Sequence, residues 1–566
     1  MYLRTTVRKR KDGSTVKYHQ LAETRWNRER GRPEVHVIHN FGRADLLDPE
    51  DLRRLARSIM RVCNNGIEVA EETGSDPCEL MEIEWSKPIG GIYAARALWE
   101  ELGIGPCLRN LTEDRRAPHE TAIFAMVANR LLEPLSKLAC HEKWLADSVY
   151  FPEGDSLTLE QLYFAMDFLE DHIEEVEKTV FFKAADLFNC DVDLIFWDTT
   201  NFFFEIDEED EDEYLHHERT YPAMRKRGHS KDAKDGNPQV VVGLALTRDG
   251  MPVRSWVFPG NTIDATTVSK IKEDLRGWRL GRAIIVGDAG MDSEKNRRAL
   301  AKGAGKYILA MPVGKLKEVS EEVLTRPGRY QRVNDHLEVK EVTVGDGERR
   351  RRYVVCRNLK EAERQEKHRE KILEQLKVET ERLKKSKKVH PKKACELLSS
   401  KRFGRYLSQT KTGRVRIDFA KVKKAQRMEG RYVLLTNDDT LEPSDVGEGY
   451  KAMMIIESCF RRMKTTQLRT RPIYHWTPHR IISHVKLCVL ALLLERAAEI
   501  RTGQTWRTIR HDLDQLQAVR YRVKNKTIVQ TTRTMQAAKA HFVTLGIKTP
   551  KRVLSIETTE GKAENP

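Results

Sequence analysis

The chain has 566 residues, of which 100 are Lys or Arg and 85 are Asp or Glu, so its formal net charge is +15. This length predicts several domains, and the basic balance favours a polyanionic partner, for which nucleic acid is the usual class. The 9 cysteines include no Cys-x-x-Cys pair, which disfavours a paired-cysteine zinc module and a disulfide framework, and fits a reducing cytoplasm.

The apolar pattern does not predict a secreted or membrane protein. The N-terminal run MYLRTTVRKRKDGS carries charge but lacks the apolar segment of a signal peptide. The most apolar stretch, residues 481–494, contains His484 and Lys486 and is too short to span a bilayer. We therefore expect no membrane partner, and we interpret this stretch as a buried helix.

The first third of the chain predicts a β-rich segment followed by a helical region. In residues 1–48, two alternating segments flank the turn signal at 11–14, and a third extended segment covers 33–38. Residues 49–190 have helical spacing, for example at 122–132 and 162–187.

Residues 191–312 alternate between strand-length apolar runs and a helical pattern. Strands are predicted at 192–197, 239–246, 253–258, 283–286 and 307–310, and a helix at 266–278. This alternation predicts an α/β fold with a mixed sheet and flanking helices.

The remainder of the chain predicts three further regions. Residues 313–440 hold short β-like pieces and a charged helical run at 359–388, with a strand predicted at 432–436. Residues 441–500 are predicted helical, and 501–566 form a C-terminal region whose polar tail is expected to be disordered.

Two aspartates follow predicted strands directly. Asp198 follows the run at 192–197, and Asp288 follows the run at 283–286, with Gly287 before it. A carboxylate at the end of a buried strand is costly unless it is paired or binds metal, and ligands of α/β sheets bind at such ends. For Asp198 alone, capping of the following turn is the alternative.

A third carboxylate lies in the predicted helix YKAMMIIESCFRRMK. At helical spacing, Tyr450, Glu457, Arg461 and Lys464 share one face, and the apolar residues form the adjoining face. The alternative is a solvated face with a local Glu–Lys pair.

The three blocks together resemble the DDE transposases of bacterial insertion sequences, in the class marked by Tyr-x2-Arg-x3-Glu-x6-Lys. Tyr450, Glu457 and Lys464 match this signature at the right spacing, whereas Met453 stands where the class has Arg. The segments RGHSKDAKDGNPQVVVGLAL and RTRPIYHWTPHRIISHVKLCVLALLL also resemble the class. The resemblance covers about residues 190–500.

The resemblance implies a ribonuclease-H-like catalytic core, interrupted by a β-rich insertion between the second Asp and the Glu. The gap from Asp288 to Glu457 is almost twice that from Asp198 to Asp288, which agrees with an insertion at 313–440. The core then consists of 191–312 and 441–500.

The resemblance also implies that Asp198, Asp288 and Glu457 are catalytic and hold two Mg²⁺ or Mn²⁺ ions, since such ions prefer oxygen ligands. Water attacks first, and the released 3′ hydroxyl then attacks target DNA at the same site. Tyr450, Arg461 and Lys464 are expected to hold DNA phosphates, with Arg461 a candidate substitute for the missing signature Arg. Arg469, Arg471 and Arg480 are further candidates for phosphate contact.

By the same resemblance, the N-terminal 190 residues bind the terminal inverted repeats, and the DNA-bound complex is a homodimer. We expect a cytoplasmic, nucleoid-associated protein that binds double-stranded DNA. Two alternatives remain open: a nuclease of the same fold without strand transfer, and a non-catalytic DNA-binding derivative of a transposase.

Other polar features have a simpler interpretation. The acidic run at 205–213 is predicted to be a solvated loop, in which Glu205 is nearest to Asp198. Asp292 and Glu294 are predicted to cap a helix. The basic clusters at 349–352 and 384–393 either follow DNA by charge or are solvated loops. Structural roles or DNA-backbone contacts are predicted for three histidines: His475, His479 and His484.

Overall fold

A computed structural model of the chain describes residues 2–9, 15–27, 32–44, 47, 54–56, 59, 81–114, 116–188, 192–313, 316–385, 392–523 and 526–558. The chain divides into two compact units, residues 1–80 and residues 81–566. The turn signal at 11–14, most of 49–80 and most of the predicted polar tail lie outside the described residues.

The described part of the first unit contains an antiparallel sheet of three strands, in the order β1-β2-β3, and a short helical stretch at 54–56. The strands are β1 (Tyr2–Lys9), β2 (Thr15–Asn27) and β3 (Arg32–Arg43). Tyr2 pairs with Ala22 and Lys9 with Thr15, so β1 and β2 form the predicted hairpin. The third predicted extended segment is confirmed as β3.

The second unit contains the remaining strands. They are β4 (Met81–Pro88), β5 (Leu194–Phe203), β6 (Tyr214–His216), β7 (Arg219–Tyr221), β8 (Gln239–Leu246), β9 (Pro252–Pro259), β10 (Ile284–Gly287), β11 (Tyr307–Met311), β12 (Gln331–Asn334), β13 (Leu337–Val344), β14 (Arg351–Asn358), β15 (Leu407–Gln409), β16 (Val415–Ile417), β17 (Arg431–Thr436), β18 (Gln517–Val523), β19 (Lys526–Thr531) and β20 (Val553–Thr558).

The α-helices of this unit follow the same chain order. They are α1 (Gly90–Glu101), α2 (Ile104–Leu111), α3 (His119–Leu132), α4 (Lys137–Ala139), α5 (Leu159–Leu187), α6 (Asp264–Gly277), α7 (Glu294–Ala301), α8 (Leu359–Lys384), α9 (Lys392–Ser399), α10 (Phe419–Met428), α11 (Pro443–Ala452), α12 (Met454–Arg461), α13 (Pro478–Thr502), α14 (Trp506–Leu513) and α15 (Gln536–Thr544). Helix α4 continues as a π-helix, Cys140–Ser148.

A nine-stranded mixed sheet forms the centre, in the order β12-β13-β14-β17-β11-β10-β5-β8-β9. Strand β10 runs parallel to both β5 and β11, and the other neighbouring strands are antiparallel. All five strands predicted in 191–312 lie in this sheet. The sequence prediction of a mixed sheet with flanking helices is therefore confirmed.

Both faces of the sheet are buried. Along β5, Leu194 and Phe196 belong to one apolar cluster, and Ile195 and Trp197 to another. Successive residues of a strand point to opposite faces, so the continuous apolar run of β5 serves two cores. The first cluster includes residues of α1, α3, α5 and α13, and the second includes residues of α6.

The region predicted as an insertion is only partly separate from this sheet. Strands β12, β13 and β14 extend the central sheet from β17 outward. The rest of the insertion has its own small core, in which Ile372 and Leu376 of α8 pack with residues of α9, α10, β15 and β16. The boundaries of the six predicted segments stay predictions.

The region 49–190, predicted to be helical, also contains the strand β4, which was not predicted. Strand β4 pairs with β18 in a second sheet of order β20-β19-β18-β4. The partner strand lies more than 400 residues later in the sequence, so local periodicity could not reveal the pairing. Helices α3 and α5 confirm the helical spacing at 122–132 and 162–187.

Helix α13 is the predicted buried helix, since nearly all residues from Ile481 to Ala498 are buried. Its Lys486 ammonium contacts Glu177 Oε1 at 2.9 Å and the Ser255 carbonyl at 2.6 Å. This buried ion pair joins α13, α5 and β9. Within the described part of the chain, none of the helices has the length and apolar character needed to cross a bilayer.

Candidate active site

Asp198 and Asp288 lie beside each other at one edge of the parallel strand pair. The last residues that β5 and β10 pair with each other are Trp197 and Gly287. Asp198 follows Trp197, and Asp288 follows Gly287. Asp288 follows β10 directly, as predicted. The prediction that Asp198 ends its strand is wrong, because β5 continues to Phe203 and Asp198 pairs there with Leu244 of β8.

Glu457 comes from α12, which contacts β5. The predicted single helix across residues 450–464 is wrong: it consists of α11, α12 and the π-helical turn Arg462–Thr466. The break falls at Met453, whose amide donates to the Tyr450 carbonyl at 3.0 Å in the tighter i to i+3 pattern.

Tyr450 brings the three predicted carboxylates into one environment. The negative charges of Asp288, Asp198 and Glu457 all act on its hydroxyl, and that of Asp288 acts most strongly. Burial, reinforced by these charges, raises the pKa of Tyr450 above its ordinary range. The three carboxylates, from β5, the end of β10 and α12, therefore surround one phenol.

Two glycines allow α11 to lie close to the sheet at this point. A Cβ at Gly449 would lie 3.3 Å from Leu194, and one at Gly447 would lie 3.0 Å from Val339. Both distances are tighter than ordinary van der Waals contact. This close approach brings Tyr450, the residue after Gly449, against the sheet.

Burial raises the pKa of Asp198 to about 6, with smaller opposing effects from Lys231 and the Thr199 amide. The amide donates to Asp198 Oδ1 at 2.7 Å. The Lys231 ammonium lies 3.4 Å from the same oxygen and 3.1 Å from Asp264 Oδ2. Lys231 and Asp264 were not predicted from the sequence.

The donor set fits a hard divalent cation. Asp198, Asp288 and Glu457 offer carboxylate oxygens, which Mg²⁺ and Mn²⁺ prefer. The pKa of Asp198 is raised because burial raises it more than the positive charge of Lys231 lowers it. A divalent cation at this position would supply the missing charge.

Comparison with known families identifies the family of the chain. The family model of the transposase DDE domain matches residues 215–494, and that of the IS1634 family transposase N-terminal domain matches residues 3–72. The chain belongs to the insertion-sequence DDE transposases. The DDE match includes Asp288 and Glu457 and begins after Asp198.

Several solved structures share weaker likeness with this transposase. The piggyBac transposase synaptic complex with hairpin DNA is 8% identical, with 76% of this chain and 82% of that chain covered and a TM-score of 0.34. The Mos1 transposase paired-end complex with the left transposon end is 12% identical, with 46% and 66% covered and a TM-score of 0.13. No curated protein matches significantly.

Met453, which replaces the signature Arg, is buried in the main apolar cluster of the transposase. It therefore offers DNA no polar group. Arg461, the candidate substitute, is exposed on α12, one turn after Glu457. Its contact with a phosphate stays a prediction.

Lys464 and Arg471 both contact one carboxylate, that of Asp232. The Lys464 ammonium lies 2.9 Å from each Asp232 oxygen, and Arg471 Nη1 lies 2.9 Å from Oδ2. Burial lowers the pKa of Lys464, and Asp232 opposes this shift. Asp232 was not predicted as a site residue, although it lies in the family-like segment HSKDAKD.

The other two predicted phosphate contacts lie in different surroundings. Arg480 forms a two-pronged ion pair with Asp167, with both N–O distances at 2.8 Å. Arg469 has a positive φ of 44°, and its carbonyl accepts a hydrogen bond from Arg130 at 3.0 Å. Arg480 thus has a structural partner, and DNA contacts by either residue stay predictions.

The histidines have structural contacts in the described chain. Burial lowers the pKa of His475 to about 3 and that of His484 well below its ordinary value. Asp167, His216 and His479 form a cluster with metal-ligating atoms. The two imidazoles are stacked, with ring centroids 3.8 Å apart and planes 3° from parallel, so their lone pairs do not converge on one ion. In addition, the Asp167 carboxylate already forms an ion pair with Arg480.

Most of the acidic run is solvated, as predicted: Glu205, Asp207, Glu208 and residues 211–213 are exposed. Asp210 is the exception, since it pairs with Arg225 and is mostly buried. Ser293, and not Asp292 or Glu294, caps α7, since its hydroxyl accepts the Asn296 amide at 3.1 Å.

The two basic clusters differ in what the structure describes. Each of three arginines at 350–352 pairs with an acidic side chain: Arg350 with Asp439, Arg351 with Glu318 and Arg352 with Glu341. Most of the 384–393 cluster lies outside the described residues.

Proposed function

We propose that this transposase cuts DNA at the terminal inverted repeats of its insertion sequence and joins the ends to target DNA. Asp198, Asp288 and Glu457 are the proposed catalytic and metal-binding residues. The observation that carries the proposal is that Asp198 and Asp288 follow the last paired residues of β5 and β10, and that their charges act on Tyr450 together with that of Glu457 from α12.

Two Mg²⁺ or Mn²⁺ ions, when bound, would activate the attacking oxygen and stabilise the leaving oxygen. The protein's part is to hold the three carboxylates in place. The Thr199 amide orients Asp198 through its hydrogen bond, and the Tyr450 hydroxyl lies where the charges of all three carboxylates act on it. Both steps, hydrolysis by water and attack by the 3′ hydroxyl, are in-line displacements at phosphorus, so one site serves both.

The proposal includes a ribonuclease-H-like core. The mixed sheet supports it, since β10 and β5 run parallel and present two carboxylates at one edge. Residues 1–190 are proposed to bind the terminal repeats, residues 191–312 and 441–500 to form the core, and 313–440 to be the insertion. A homodimer on DNA is proposed because two element ends are cut, and nucleoid association follows from DNA binding.

A strand-transfer assay tests the proposed function. The full chain is mixed with a labelled duplex that carries a pre-cut terminal repeat, taken from the DNA flanking the gene, and with a target plasmid. We expect joined product with Mg²⁺ or Mn²⁺ and none with EDTA. Cleavage of an uncut end without joining would support the nuclease alternative. The absence of both activities would support a non-catalytic DNA-binding derivative.

A further inference from the structure

Residues 230–235, here called the 230–235 loop, carry two adjacent charges that face different partners. The Lys231 ammonium lies against Asp198 and Asp264, at 3.4 and 3.1 Å. The next residue, Asp232, contacts Lys464 and Arg471. One loop thus contacts both a proposed metal ligand and two predicted phosphate-binding residues.

The contacts of Asp232 match those of a phosphate. Its two oxygens accept from an ammonium and a guanidinium, with all three distances at 2.9 Å. The Arg471 guanidinium also lies over the Phe203 ring, 4.4 Å from its centroid, which restricts its position. The two non-bridging oxygens of a phosphodiester offer the same charge and acceptors to such a pair.

The degree of burial explains why an anion is needed here. The side chains of Lys464 and Arg471 are only 12% and 16% exposed, and that of Asp232 is 28% exposed. Two cations held together at this depth repel each other and lose hydration, so an anion between them stabilises the arrangement. Asp232 supplies that anion within the chain.

The 230–235 loop has internal contacts that hold Asp232 in this position. The Ser230 hydroxyl is buried and accepts the amides of Asp232 at 3.3 Å and Lys234 at 3.1 Å. The Ser230 amide donates to Asp235 Oδ1 at 2.8 Å. Asp232 is therefore presented by a folded turn.

We propose that Asp232 is an internal substitute for a DNA phosphate, and that a backbone phosphate replaces its carboxylate when DNA binds. The inference rests on the proposed function, because it places the DNA strand beside Asp198. Displacement of Asp232 removes one anchor of the 230–235 loop, so this loop becomes less tightly held in the DNA complex. Asp232 thereby lowers the affinity of the free protein for DNA.

Fluorescence anisotropy with the full chain in EDTA tests this inference. The probe is a fluorescein-labelled duplex of arbitrary sequence. Asp232→Asn should bind it about three- to tenfold more tightly than wild type, because the internal competitor is lost. Asp212→Asn removes the same charge from an exposed residue and is the matched control, for which we expect less than about a twofold change.

A second protein background, Lys464→Met, distinguishes competition between Asp232 and a DNA phosphate from a general effect of net charge. In Lys464→Met, the gain from Asp232→Asn should largely vanish, since half of the phosphate site is missing. An equal gain from Asp232→Asn and Asp212→Asn, or a full gain in Lys464→Met, would overturn the inference alone. Failure of the wild-type protein to bind the duplex would overturn the proposed function as well.

Hydrogen–deuterium exchange of the wild-type protein tests the same inference without a variant, which matters if Asp232→Asn does not fold. DNA should increase deuterium uptake across the 230–235 loop, as the loop loses the Asp232 anchor. Unchanged or reduced uptake there, under conditions in which the duplex is bound, would contradict the displacement of Asp232.

Discussion

Replacement of Asp198 or Asp288 by Asn, or of Glu457 by Gln, should lower the rate of DNA cleavage by at least about a thousandfold. Each change removes one negative ligand from a site whose work is charge stabilisation at phosphorus, where loss of one such group costs about two to three orders of magnitude or more. Binding of terminal-repeat DNA should not become weaker by more than about threefold, since removal of a negative charge does not weaken a polyanion complex.

Matched controls exist on the same elements. Asp193→Asn changes an exposed residue just before β5, paired with Arg248 at the surface, and Glu448→Gln changes an exposed residue of α11. Both should cleave at near-normal rates. Tyr450→Phe keeps all three carboxylates and should cost about tenfold, because it removes the polar hydroxyl on which all three carboxylate charges act. Near-normal cleavage by a variant of Asp198, Asp288 or Glu457 would show that the changed residue is not part of the active site.

The second large effect concerns stability. Glu177→Gln should lower the free energy of unfolding by about 3–5 kcal/mol at neutral pH, because it leaves the buried Lys486 ammonium without its carboxylate. Burial already lowers the pKa of Lys486 in the folded protein. A Lys whose pKa is lowered in the folded protein costs stability at pH values where it is charged. The loss of unfolding free energy in Glu177→Gln should therefore shrink as the pH rises toward the pKa of Lys in the unfolded chain, about 10.

Urea unfolding at two pH values measures this loss. Glu174→Gln, one turn earlier on α5, is the control: Glu174 is mostly exposed and pairs with Arg254, so we expect less than about 1 kcal/mol. The double variant Glu177→Gln, Lys486→Met removes both charges and should recover at least about half of the loss. A Glu177→Gln loss no larger than that of Glu174→Gln would show that the pair contributes little.

Local pattern predicted the elements around the site well. The apolar runs of β5, β8, β9, β10 and β11 were visible because strands buried on both faces are continuously apolar. The direct step from β10 to Asp288 was visible for the same reason. The family-like spacing selected Tyr450 and Glu457, and the charge of Glu457 acts on Tyr450 together with those of Asp198 and Asp288.

Long-range contacts account for what the sequence did not predict. Strand β4 needs β18, far away in the sequence, and β5 extends past Asp198 because β8 lies beside it. The helix break at Met453 follows from packing of α11 and α12 on the sheet, which helical periodicity does not describe. The partners of Lys231 and Asp232 are Asp264 and Lys464, which come from other elements. Local sequence pattern therefore does not reveal these ion pairs.

Anomalous diffraction at the manganese edge, from crystals of the full chain with terminal-repeat DNA and Mn²⁺, tests the central claim most directly. We predict two peaks in contact with the carboxylates of Asp198, Asp288 and Glu457. The absence of manganese from these three carboxylates in cleavage-competent crystals, or its presence only at Asp167, His216 and His479, would contradict the proposed active site.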